Sequence, residues 1–241
     1  VDAAATCRAT TTASVTVGAG SAVPFNVTTA ACDRTPADFS FTAVTGVEPS
    51  SAQVSNEVAV TDIDDGTAIS IAPAGTFTID GGSALTSGTI DSGSDVIVQL
   101  AASANYSTTR TATLTIGTVS KDFSVTTRAG HTDPTPFSFT PVTGATPSAS
   151  VASGSIIVSG LEVAAPISID NGQFCIGNNT NCYNNNVMTV SNNDIVYVRL
   201  TASSSFNTPV SATLTIGRPT SVAACFATSS VPPPPIPPTA S

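Results

Sequence analysis

The 241 residues give room for two ordinary domains, each long enough to bury a core. Only 10% of them are Asp, Glu, Lys or Arg, so the polar surface has to be built from Ser, Thr and Asn. Seven basic against sixteen acidic residues give a formal charge of −9, with no basic stripe for nucleic acid, and no apolar run reaches the roughly 18 to 20 residues of a membrane helix.

The chain opens on ASVTVGAGSAVPFNVTT (13–29), two alternating strands around a Gly-rich polar turn. The plan returns as TATLTIGTVSKDFSVTT (111–127) and again as SATLTIGRPTSVAACFATS (211–229). The turn glycines Gly18, Gly117 and Gly217 are spaced 99 and 100 residues apart, the period of a whole domain and not of a solenoid repeat. Residues 5–29 match only the last hairpin of a unit, with Val15 on Leu114, Val17 on Ile116, Phe25 on Phe123 and Val27 on Val125.

The first full unit follows. Its apolar residues alternate at Phe39 and Phe41, Val58 and Val60, Ile69 and Ile71, Phe77 and Ile79, then Val96, Val98 and Leu100, Leu114 and Ile116, and finally Phe123 and Val125. Short runs of period two, separated by Gly, Pro, Asp, Asn and Ser, predict strands, and no segment keeps a helical period. Seven or eight one-faced strands in about 100 residues must stack as two sheets, so the fold class is all-β, with tandem immunoglobulin-like or fibronectin-like β-sandwiches. Pro134 and Pro136 stiffen the linker RAGHTDPTP. FSFTPVTGATPSAS (137–150) and VRLTASSSFNTPVSATLTIG (198–217) then repeat 39–52 and 98–117.

The stretches PFSFTPVTGATP, VRLTAS, SATLTIG and KDFSVTT, with several motifs recurring in the same order in both copies, resemble the tandem Ig-like repeats of secreted and surface-attached bacterial proteins. The resemblance covers about residues 36–229. It implies an extracellular sandwich used as a spacer, stalk or adhesive unit, names no ligand and brings no catalytic residues. The expected domains are the orphan hairpin at 1–34, Ig-like units at 35–129 and 130–230, and a Pro-rich tail at 231–241, which should run as a polyproline II rod or a stiff linker.

A hairpin with one apolar face is marginal alone, so the face of Val15, Val17, Phe25 and Val27 needs a cover. Three covers compete: the rest of a longer repeat adhesin or stalk, one of the chain's own domains, or a sheet in the next subunit of a head-to-tail homopolymer. The last is favoured, because an orphan hairpin and a stiff Pro-rich arm suit a filament subunit.

Five cysteines with a single His point to disulfides and an oxidising, extracellular or cell-surface location. If the first hairpin turns at Ala19 and Gly20, residues whose numbers sum to 39 face each other, which sets Cys7 opposite Cys32. FCIGNNTNCY offers Cys175 with Cys182. Cys225, placed near the core position of Val125, is left as a buried thiol or an intermolecular partner for Cys7 or Cys32 of a neighbour.

Asp62, Asp64 and Asp65 cluster as calcium ligands would, but their spacing misses D-x-D-x-D-G and the second copy reads SGLEVAA, so a polar turn is favoured over a metal. With one His in a linker, no Ser, His and acid set forms, and neither catalysis nor a cofactor is expected. Asn26, Asn105 and Asn178 head glycosylation triplets of the kind a Thr-rich chain produces by chance. Lys121 has Ser221 at its place in the second copy, which excludes an isopeptide bond there. A surface or glycan ligand, if the chain holds one, belongs on the Asn-rich loop 177–186.

Overall fold

The structure, a computed structural model, describes residues 7–177 and 182–218, and the backbone alone of 223–230. The chain divides into two compact units, Val1–Ala129 and Gly130–Ser241. No described residue is helical, so among them no helix is long and apolar enough to cross a membrane.

The first unit opens with β1 (Thr10–Val15) and β2 (Val23–Thr28), an antiparallel pair forming a sheet of its own. Nine strands follow: β3 (Val44–Val47), β4 (Ala52–Val54), β5 (Val58–Ala59), β6 (Thr67–Ala72), β7 (Thr76–Ile79), β8 (Ser87–Ile90), β9 (Asp95–Ala101), β10 (Thr109–Ile116) and β11 (Val119–Thr127). One sheet has the order β3-β11-β10-β6-β8, with β3 parallel to β11; in the other, β9 is flanked by β4 and β5 on one side and β7 on the other. Phe77, Val96 and Val98 from the second sheet meet Ile69, Leu114, Phe123 and Val125 from the first in one buried cluster. These are the alternating residues of the sequence, since a period of two turns every second side chain to one face.

The second unit repeats the plan with β12 (Val142–Ala145), β13 (Ser150–Ala152), β14 (Ile156–Ile157), β15 (Ala165–Asp170), β16 (Gln173–Ile176), β17 (Met188–Val190), β18 (Ile195–Thr201), β19 (Pro209–Ile216) and β20 (Ala223–Ser230). Its sheets are β12-β20-β19-β15-β17 and β18 flanked by β13, β14 and β16. Both units are Ig-like β-sandwiches, and each spends nine short strands where periodicity gives seven or eight.

The extra count comes from a break between β4 and β5, and between β13 and β14. Buried Ser55 donates its backbone N–H to the Val98 carbonyl, accepts the Val98 N–H on Oγ at 2.9 Å and donates that hydroxyl to the Asn56 carbonyl. Ser153 does the same with Val198 and Gly154. The hydroxyl stands in for a missing ladder acceptor, which lets the strand bend without leaving a buried N–H unpaired.

Candidate functional site

The hairpin is the part of the molecule whose chemistry and surroundings disagree. Its register pairs Thr11 with Val27, Ala13 with Phe25 and Val15 with Val23, so these six share one face. Thr10, Thr12, Asn26 and Thr28 share the other, joined by a Thr10–Thr28 hydroxyl bond of 2.7 Å and a bond from the Thr12 hydroxyl to Asn26 Oδ1. In β10 and β11 the matching pair is Ala112 with Phe123.

Burial separates the two hairpins. Leu114, Phe123 and Val125 are fully buried at 0% exposure, whereas Val15 and Phe25 are each 59% exposed and Val23 66%. Among the described residues, β1 and β2 pair only with each other. Val27 is half-buried, and Val17 lies beyond the end of β1, in the turn closed by the Gly20 N–H on the Val17 carbonyl. Val23, which sequence reasoning passed over, sits opposite Val15 and completes the face.

The register differs from the expected one. Paired residues sum to 38, as in Thr10 with Thr28, and the pattern continues through the Arg8 N–H to the Ala30 carbonyl. Arg8 has a φ of 55°, an irregularity that lets Cys7 reach Cys32 one residue out of step, with Cα atoms 5.1 Å apart. Cys7 and Cys32 are disulfide-bonded, as are Cys175 and Cys182.

Directly after Cys32 the chain is bolted to the first sandwich. Asp33 donates its N–H to Asp64 Oδ2 at 2.7 Å, and Asp64 returns its own N–H to the Asp33 carbonyl. The Arg34 guanidinium donates to the carbonyls of Asp64 and Asp65 and to Thr67 Oγ1, while the Arg34 carbonyl accepts the Thr118 N–H. Gly117, at φ 54°, lets that carbonyl pass; a Cβ there would lie 1.8 Å from it. The second unit has the same joint 98 residues on: the His131 N–H goes to Glu162 Oε2 at 2.7 Å and the Glu162 N–H to the His131 carbonyl. SGLEVAA therefore does keep the acid that matters, Glu162 for Asp64.

The acidic cluster is thus a clamp for the leading segment of a unit. Asp64 also lies near Cys7 and Cys32, but those sulfurs are bonded to each other and are not thiolate ligands. Asp62 and Asp65 are exposed, and Asp65 contributes through its carbonyl. Lys121 pairs with Asp38 at the surface, and its ammonium holds the Asp38 carboxyl below the usual range, chiefly by hydrogen bonding and then by charge.

The side chain of Cys225 lies outside the described residues. Its backbone pairs with Thr213, as Asp122 pairs with Thr113, so its register is that of Asp122 and not that of core Val125. Three extra residues between the paired positions of β19 and β20 shift Cys225 away from the place of Val125. Residues 178–181 of the Asn-rich loop, including the Asn178 triplet, and the tail 231–241 also lie outside the described residues.

No family model and no curated protein matches the chain. Among solved structures it is similar to the D0–D1 domains of intimin, at 13% identity over 82% of this chain and 99% of that one, with a TM-score of 0.28. It is similar to the adhesin InvE of Yersinia pseudotuberculosis at 9% identity, covering 78% of this chain and 56% of that one (TM-score 0.33). For the titin fragment I67–I69 the values are 8%, 89% and 71% (TM-score 0.36).

Proposed function

We propose that this chain is a non-enzymatic extracellular structural protein that extends head to tail, its N-terminal hairpin supplying the last two strands of a β-sandwich in the next subunit. One observation carries the proposal: Val15 and Phe25 are exposed while Leu114 and Phe123, at the same places in a complete unit, are wholly buried. The repeat supports this kind of cover, since the face of β10 and β11 is closed by Phe77, Val96 and Val98 of the opposing sheet. A heterologous contact of this kind does not close on itself and propagates as a fibre. The two disulfides support an oxidising location. The joint takes the backbone N–H and carbonyl of His131, and its exposed imidazole lies 3.6 Å from Asp133 in the linker.

A second reading has its own support. In both units the places of the last hairpin are already held by β10–β11 and β19–β20, so a subunit would have to exchange hairpins to accept one. A stalk or adhesin segment, in which the hairpin ends a sandwich formed by other strands of a longer polypeptide, needs no exchange.

Negative-stain microscopy and sedimentation of the disulfide-intact chain separate the two. Filaments that Phe25→Asp abolishes support subunit assembly. A monomer at high concentration overturns it in favour of the stalk.

A further inference from the structure

Unit 2 carries a chemistry on one sheet face that unit 1 lacks. The outward positions of β18 are Ile195, Tyr197, Arg199 and Thr201, where β9 has Asp95, Ile97, Gln99 and Ala101. Gln173 lies opposite Arg199 in register and Cys175 opposite Tyr197. The Cys175–Cys182 bond closes a short loop that brings Tyr183 back to this face, with the Arg199 guanidinium carbon 4.1 Å from the Tyr183 ring centroid. Arg199 Nη2 donates to Gln173 Oε1 at 2.8 Å.

Those two contacts hold the guanidinium in place before any ligand arrives, which removes much of the side-chain ordering that binding would otherwise cost. Among the described residues no carboxylate lies within ion-pair distance of Arg199. Beside it a groove of ≈ 240 Å³ is lined by Ser150, Asn171, Gln173, Arg199 and Thr201. The matching groove of unit 1 has neutral Gln99 at that place, and its one cation, Arg110, is turned onto the Ala101 carbonyl.

A fixed guanidinium fork matches one carboxylate, while amides and hydroxyls around it match vicinal ring hydroxyls. The face offers side chains only. β18 is paired along both edges, which leaves a peptide only the outer edges of the short β13 and β16 to extend. We propose that this face of unit 2 binds a carboxylated saccharide, with the sugar carboxylate on Arg199 and ring hydroxyls on Asn171, Gln173 and Thr201. The site uses no residue of the hairpin, so it stands or falls separately from assembly.

The test is titration calorimetry of the full chain with trigalacturonic acid, its methyl ester, a neutral galactose trimer and a poly-glutamate peptide. Saturable binding of the acid is expected, at least tenfold weaker for the ester and the neutral trimer. Arg199→Gln should lose at least tenfold with its thermal midpoint unchanged, and Arg199→Lys should fall between, keeping the charge without the fork. Absence of binding to the acid, equal binding of acid and ester, or unchanged affinity in Arg199→Gln overturns the proposal. Preference for poly-glutamate also overturns it and reassigns the face to an acidic peptide.

Discussion

Truncating two phenylalanines at one register position tests whether the hairpin face is made for a partner. Phe123 is fully buried, and Phe123→Ala should destabilise the first sandwich by about 3–5 kcal/mol, a large part of the roughly 5–15 kcal/mol that holds a domain. Phe25 is 59% exposed. Of the roughly 200 Å² of a phenylalanine side chain, about 120 Å² therefore remains to be buried, about 3 kcal/mol at about 25 cal/mol/Å². Phe25→Ala should leave the monomer's thermal midpoint within a degree or two while weakening subunit association by about 2 kcal/mol, roughly 30-fold. Phe123→Ala should lower the midpoint by more than about 10 °C. Calorimetry at low concentration reads the first quantity and sedimentation equilibrium the second. If Phe25→Ala lowered the midpoint as Phe123→Ala does, the hairpin face would be packed against its own chain, and the inference from exposure would be wrong.

Other consequences follow from particular contacts. Ser153→Ala, which strips the acceptor from the Val198 N–H, should cost about 1–3 kcal/mol in urea denaturation, and Ser55→Ala the same in the first unit. Gly117→Ala should weaken the joint to Arg34 through its left-handed φ and the clash with the Arg34 carbonyl, seen as faster exchange of the Thr118 amide. Reducing Cys7–Cys32, which closes a span of 25 residues, should cost the hairpin about 3–4 kcal/mol by the loop-entropy estimate and fray it, read from amide exchange in 10–28. The Asp38 pKa is lowered below its ordinary 3.8 by Lys121, so this pair stabilises the fold above that pH and is lost as pH falls through the depressed value. Asp38→Asn should flatten that limb of a pH–urea profile. Burial raises the Tyr183 pKa above 10.0 and Arg199 opposes the rise, so tyrosinate absorbance should appear later still in Arg199→Gln.

Period-two alternation in the sequence is enough to place the strands and both buried faces, because a half-buried strand records its environment in every second residue. What lies between strands is less legible. The serine breaks at Ser55 and Ser153 resemble any polar turn until the partner N–H of Val98 or Val198 is in place. Asp64 and Glu162 differ in type and sit in unlike strings, so their common role emerges only when each is seen bonded to a residue 31 positions earlier. Cys7–Cys32 could be paired by counting, but the one-residue offset depends on the φ of Arg8. Tyr197 and Arg199 lie far in sequence from Tyr183, and pairing of β16 with β18 brings them together.

Sheet edges in a chain with so few charges show how the hairpin differs from the rest. Exposed edges invite pairing with other chains, and charge is the usual guard. Here the guard is brevity: β3, β7, β8 and β12 have four residues each and β17 three, while the long β9, β10, β18 and β19 are all interior. The β4–β5 edge is broken at Ser55, and beyond it the Asn56 side chain bonds the Ser40 carbonyl and the Thr42 N–H in place of a ladder. The hairpin follows neither rule. Its strands are six residues each, both open on their outer sides among the described residues, with an apolar face, a disulfide at the base and a clamp below it. Shortened edges elsewhere and a braced hairpin here are what the proposed head-to-tail pairing through the hairpin requires, and on that proposal substitutions that blunt β1 or β2 should change assembly before they change folding.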